Sequence, residues 1–146
     1  MTNQEIAQKL KDLRDFLIIA GYEESHALRY THIARTIEKM AEPVEDLSRE
    51  GRLTEIPQVG KLIAQYMREI ITTGKSSKQT EWEKEAPYSV VEMCRVKGLG
   101  PKTAKMLYEK FGIASLQELQ EVARSGKLEG SIPNSLQSEI ERTTLA

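Results

Sequence analysis

Val96-Lys97-Gly98-Leu99-Gly100-Pro101-Lys102-Thr103-Ala104 decides the fold, because a close copy of it stands forty residues earlier in the chain. Ile56-Pro57-Gln58-Val59-Gly60-Lys61-Leu62-Ile63-Ala64 aligns with it without a gap, sharing the turn glycine, the apolar residue before it and the alanine four places later. Each copy reads as a helix, a tight glycine turn and a second helix. Glycine permits left-handed backbone angles that let successive N–H groups converge, and the following helix adds the positive end of its dipole. Phosphate suits such a turn better than any other common ligand. Pro101 fits a helix first turn, where its missing N–H is not needed, and leaves the amides of Lys102 and Thr103 facing outward beside Gly98 and Gly100. A main-chain cradle carries no base information, so the spacing predicts salt-sensitive contact with a DNA backbone, indifferent to sequence. The opposing reading is a structural hairpin whose glycine serves packing alone. It weighs more heavily on the first copy, where Gln58 stands in place of Gly98 and narrows the backbone options.

The 146 residues suffice for one domain or two small ones, and the formal charge of −1 gives no global attraction to nucleic acid. Local charge differs. Residues 51–112 hold eleven Lys and Arg against seven Asp and Glu, whereas the flanks hold ten against fifteen. Arg95, Lys97, Lys102, Lys105 and Lys110 gather beside the second turn with Glu109 as the sole carboxylate, which is either a phosphate-facing cluster or an ordinary solvated helix face. The single cysteine, Cys94, excludes an internal disulfide and a multi-cysteine zinc site. With no charged leader, no apolar run of membrane-spanning length and no membrane partner in view, a cytoplasmic location is expected, nucleoid-associated if the source is prokaryotic.

Periodicity along the chain is helical throughout. Thr2 and Glu5 form a capping box ahead of the stripe Ile6, Leu10, Leu13 and Leu17, with Gly21 as the stop. A second helix is expected from about Glu24 to Ala41 with Leu28, Ile33, Ile37 and Met40 inward, and a short third one follows Pro43. The polar stretch from Ser76 to Glu85, bounded by Pro87, reads as a joint between lobes. Ser115 and Glu118 cap a later helix that stops near Gly126, and a weaker pattern of Leu136 and Ile140 suggests a last helix after Pro133. No segment alternates at period two. The expectation is an all-α fold of two small helical lobes, residues 1–80 and 81–146, each carrying one hairpin.

Taken together, these hairpins resemble helix-hairpin-helix motifs, and their setting is similar to the amino-terminal region of family X DNA polymerases. The likeness covers about Asn3 to Leu128, including Gly51-Arg52-Leu53-Thr54-Glu55-Ile56-Pro57, Thr73-Gly74-Lys75 and Gly98-Leu99-Gly100-Pro101, in the family's order and spacing. In the polymerase beta branch the first lobe binds a 5′-phosphate in gapped DNA and uses a lysine to remove 5′-deoxyribose phosphate. The resemblance therefore implies DNA interrupted by gaps, nicks or ends as the ligand, and a role in repair. The nucleotidyltransferase palm is absent from these residues, and Met1 with a short polar tail suggests a freestanding relative rather than a fragment.

The lyase implied by the resemblance is compromised, since Tyr66 occupies the position of its lysine and a phenol cannot form an imine. No catalytic residue is assigned. Lys61 is the nearest candidate for a substitute amine. Tyr30 and Lys78 match phosphate-pocket positions, His26 and Leu62 replace lysines there, and a half-buried ring and a solvated charge are the plain alternatives for the matching pair. The expected DNA contacts are thus Gly98, Gly100, Lys102, Thr103 and Lys105, then Gln58, Gly60, Lys61, Tyr30 and Lys78. No cofactor is required. The resemblance also permits a monovalent cation, K+ or Na+, on the carbonyls of Thr54, Ile56 and Val59, and of Cys94, Val96 and Leu99. Two other functions stay open: residual abasic-site lyase activity, and a protein-interaction module, with a repair protein as partner, helped by the acidic Glu42, Glu45, Asp46 and Glu50.

Overall fold

The computed structural model describes residues 1–145. The chain opens with α1 (Asn3–Ala20), whose start is fixed by the reciprocal Thr2 and Glu5 box and whose end is Gly21 in the left-handed region. Then come α2 (Glu24–Lys39), α3 (Val44–Arg49), α4 (Lys61–Thr73), α5 (Ser77–Trp82), α6 (Pro101–Phe111), α7 (Leu116–Arg124) and α8 (Asn134–Arg142). Among the described residues there is no strand, only an isolated bridge between Glu129 and Ile132. The fold is all-α. No described helix is long and apolar enough to cross a membrane.

α1 organises the molecule. It is apolar on more than one side, burying Ile6, Leu10, Leu13, Phe16, Leu17 and Ile19. A helix with so wide an apolar surface must be covered all round, and α1 packs against α2, α4, α5, α6 and the 3-10 segment Tyr88–Arg95. Phe16 meets the Tyr88 ring edge-on at 5.2 Å. One cluster of buried side chains therefore runs from Ile6 through Met67 to Leu107 and Ile140. The stretch expected as a joint, Ser76 to Glu85, contains α5, a helix begun by the Ser76 hydroxyl accepting the Gln79 N–H at 3.1 Å.

Local departures from expectation have local causes. The first arm of each hairpin is 3-10 rather than α, Leu53–Glu55 in one copy and Tyr88–Arg95 in the other. In the first copy Pro57 follows within two residues and forbids α continuation. Leu28 is 42% exposed instead of inward, because α2 buries Ala27, Tyr30, Ile33, Ala34 and Ile37 and leaves Leu28 on the flank of that stripe. Ser115 caps α7 as expected, but the Glu118 carboxylate accepts the Ala114 N–H, not that of Ser115.

Candidate nucleic-acid interface

The two turns have the same backbone. Ile56 and Val96 both sit at φ −72°, with ψ 130° and 127°. Gln58 and Gly98 are left-handed at φ 70° and 85°, and Gly60 and Gly100 return to extended angles near φ −90°. The Val59 N–H donates to the Ile56 carbonyl at 3.1 Å and the Leu99 N–H to the Val96 carbonyl at 3.0 Å. Val59 and Leu99 are buried, so each turn is nailed to the core by one apolar side chain while its backbone faces out. Gln58 is the only described residue other than glycine at positive φ.

Hydrogen bonding decides whether these turns serve packing or a ligand. The first amides of α4 and α6 to be satisfied are those of Ala64 and Ala104, which donate to Gly60 and Gly100 at 2.9 and 3.0 Å. Among the described residues, the N–H groups of Gly60, Lys61, Leu62 and Ile63, and of Gly98, Gly100, Lys102 and Thr103, find no protein acceptor. The helix dipole adds positive potential at the same points. A Cβ built at Gly60, Gly98 or Gly100 meets nothing within 4 Å. Packing therefore makes no demand for glycine at these positions, and the space before the amides is open to an anion. The amides of Leu62 and Ile63, equivalent to those of Lys102 and Thr103, are additional main-chain donors absent from the expected contacts of the first copy.

The charged side chains divide less evenly. Lys61 is exposed and meets no carboxylate among the described residues, as is Lys97. Lys102 is paired with Glu24 of α2 at 3.2 Å, and Lys105 with Glu109 at 3.8 Å. Both pairs are solvated, so either lysine can exchange its partner for a phosphate at small cost. Arg52, beside the first turn, is held by Glu42, Glu50 and Glu55, and its guanidinium keeps the Glu55 carboxyl below the usual range.

Tyr30 and Lys78 do come together. They line a cavity of about 70 Å³ with His26, Leu62 and Tyr66, all positions named from the resemblance, and with Tyr22 and Arg29. Tyr30 is buried, and that burial pushes its hydroxyl well above the usual phenol range. The Lys78 ammonium lies 4.4 Å over the Tyr22 ring and 3.9 Å from Glu81. Tyr66, where an imine-forming lysine was sought, presents a phenol also raised by burial. Lys61 does not line this cavity.

The named carbonyls are compatible with a hard monovalent ion. Those of Ile56 and Val96 accept one hydrogen bond each and keep a second lone pair, while those of Val59 and Leu99 accept none from the backbone. Cys94 is half-buried, and burial pushes its thiol up to about 12.

Comparison with known proteins agrees with this geometry. A helix-hairpin-helix domain model matches residues 1–76, and a SAM-like helix-hairpin-helix tandem matches residues 90–129. The chain is similar to DNA polymerase lambda of Arabidopsis thaliana, 32% identical over 99 residues, or 67% of this chain and 18% of that protein. It is also similar to the DNA polymerase/3′-5′ exonuclease PolX of Bacillus subtilis (strain 168), 24% identical over 130 residues, or 89% of this chain and 22% of that protein. The chain thus spans about a fifth of the length of these curated relatives. With one family model covering more than half of its residues and both turns built as the repeat foretold, the chain belongs to the helix-hairpin-helix domain family.

Proposed function

We propose that this protein binds DNA through the sugar-phosphate backbone, without reading base sequence, by presenting the unpaired amides of both hairpins to phosphates. The observation that carries the reading is the set of outward N–H groups at Gly98, Gly100, Lys102 and Thr103, with open space before the glycines. The matching set at Gly60 to Ile63 supplies a second grip, and Lys61, Lys97, Lys102 and Lys105 add charge around the two. The polymerase relatives support DNA as the ligand. Preference for gaps, nicks or ends, and a part in repair, are the finer part of this reading; they come from the resemblance to family X polymerases and are supported by the cavity that brings Tyr30 and Lys78 together. At each hairpin K+ or Na+ would be held by the carbonyls of Thr54, Ile56 and Val59 or of Cys94, Val96 and Leu99. Such an ion would supply positive charge between carbonyl dipoles and phosphate.

Fluorescence anisotropy with gapped and intact duplex across a salt series tests this reading. Binding is expected to weaken linearly on a log–log plot against salt, to favour the gapped substrate, and to fall at least about tenfold in Gly100→Glu, which sets a carboxylate before the amides. Full affinity in that variant would remove the second hairpin from the interface.

Abasic-site lyase activity is a second reading with one observation in its favour, an amine lining the cavity. That amine is Lys78 rather than Lys61. Borohydride is expected to trap an adduct on DNA with an abasic end that disappears in Lys78→Ala but persists in Lys61→Ala; absence of any adduct would end this reading.

A further inference from the structure

A cavity of about 640 Å³ lies between the second turn and the carboxy-terminal helix. Its far wall is made by residues beyond both matched segments, which end at 76 and 129. Ser135, Ser138 and Arg142 recur at helical spacing along α8 and, with Ser131 ahead of that helix, line the cavity together with Lys97 and Gly98. None of the three serine hydroxyls has a hydrogen-bond partner among the described residues, and Ser135 and Ser138 are exposed. The floor between these walls is apolar, formed by Met106, Ile132 and Leu136.

This wall is firmly placed. The buried Gln120 amide of α7 donates to the carbonyls of Ile140 at 3.0 Å and Thr143 at 2.5 Å. Gln137 donates to the Ala123 carbonyl at 2.8 Å, and Leu136 and Ile140 are buried beneath the helix. The helix backbone is thus fixed before a ligand arrives, and only the exposed side chains it carries remain to be ordered.

We infer that α8 forms the second side of a track for the DNA strand gripped at the second hairpin, receiving the next phosphates on Ser135, Ser138 and Arg142 while sugar faces lie on the apolar floor. The inference rests on the DNA-binding reading above and adds the path of one strand. Charge complementarity and continuity select this occupant: Lys97 has no ion-pair partner among the described residues, and the groove opens beside the free Gly98 amide. Hydroxyls and an arginine on a rigid helix are donors to phosphate oxygens, indifferent to base identity. One group opposes the strand. The Glu139 carboxylate lines the groove and is held by Arg142 at 2.5 Å.

Variants of opposite sign test the track. The double variant Ser135→Glu with Ser138→Glu alters exposed positions and is expected to weaken binding to gapped duplex about tenfold at low salt. Glu139→Gln removes the single opposing charge and frees Arg142, so affinity is expected to rise about two- to threefold. Thermal melting of each variant, unchanged, shows that the fold is intact. Wild-type affinity in both, with binding still lost in Gly100→Glu, overturns the track, leaves the hairpin reading standing and leaves the groove to a protein segment. Failure of the unaltered protein to bind DNA at low salt overturns the hairpin reading, and the track with it.

Discussion

The first and second hairpins share a backbone and almost nothing that faces a ligand. Where one has Gln58, Lys61 and Leu62, the other has Gly98, Pro101 and Lys102. Turn angles nonetheless agree within about 15° at the left-handed position, and the same two hydrogen bonds close both. What the copies keep is the inward set: Ile56 with Val96, Val59 with Leu99, Ala64 with Ala104, all buried. Packing thus holds the shape, and the exposed residues are free to diverge in how strongly they attract an anion. Among the described residues, the first turn carries the unpaired Lys61 and an exposed Leu62; the second carries the unpaired Lys97 beside lysines balanced by Glu24 and Glu109.

If packing holds the shape, the largest loss comes from truncating the inward side chains of the supporting helices. Met67 of α4 and Leu107 of α6 occupy equivalent places and are fully buried. Replacing either with alanine is expected to cost about 2–5 kcal/mol, through lost burial and the cavity left behind. Because α1 ties both helices into one buried cluster, each variant should lower a single cooperative transition in urea, followed by far-ultraviolet circular dichroism. Two separable transitions, with each variant moving only its own, would show residues 1–80 and 81–146 folding as independent lobes.

A smaller effect separates the hairpins by ligand. Gly60 and Gly100 have negative φ and open surroundings, so a glutamate fits at either without strain. Gly100→Glu is expected to weaken DNA binding tenfold or more, and Gly60→Glu only about threefold, since Lys97, Lys102 and Lys105 flank the second turn where Lys61 stands alone at the first. Equal losses would mean that both cradles depend on amides alone. A larger loss at Gly60 would make the first hairpin the principal grip.

Much of this arrangement was legible in the residues. The Thr2 box, the stop at Gly21 and the repeat itself are local signals whose physics lies within a few residues, and each appears where it was expected. Tyr30, Lys78 and Tyr66 fall together because the resemblance fixed their spacing, although they come from three helices. Long-range partners were not legible. Nothing local announces that Glu24 reaches Lys102, which depends on α1 packing against both α2 and α6, or that α8 walls a groove beside Gly98, which depends on its packing against α7. Leu28 was misplaced for a related reason. Its spacing puts it on the edge of the α2 stripe, and only the width of the neighbouring helix decides which side of that edge is covered.

The finest distinction between the hairpins is a single φ angle. Gln58 is held at φ 70°, where its Cβ crowds the following carbonyl, at a cost of about 1–2 kcal/mol for a residue with a side chain. Glycine relieves that crowding but loses about 0.5–1 kcal/mol more chain entropy on folding. The difference predicts that Gln58→Gly stabilises the protein by about 0.5–1 kcal/mol, and that the reciprocal Gly98→Gln, at φ 85°, destabilises it by a similar amount. Urea midpoints measured at constant slope read both shifts. Because Gly98 belongs to the second cradle, Gly98→Gln should also weaken DNA binding, whereas Gln58→Gly leaves the amides of Gly60 to Ile63 untouched and should change it little. Destabilisation by Gln58→Gly would mean that the glutamine side chain supports the first turn, and that the two hairpins reach one shape by different means.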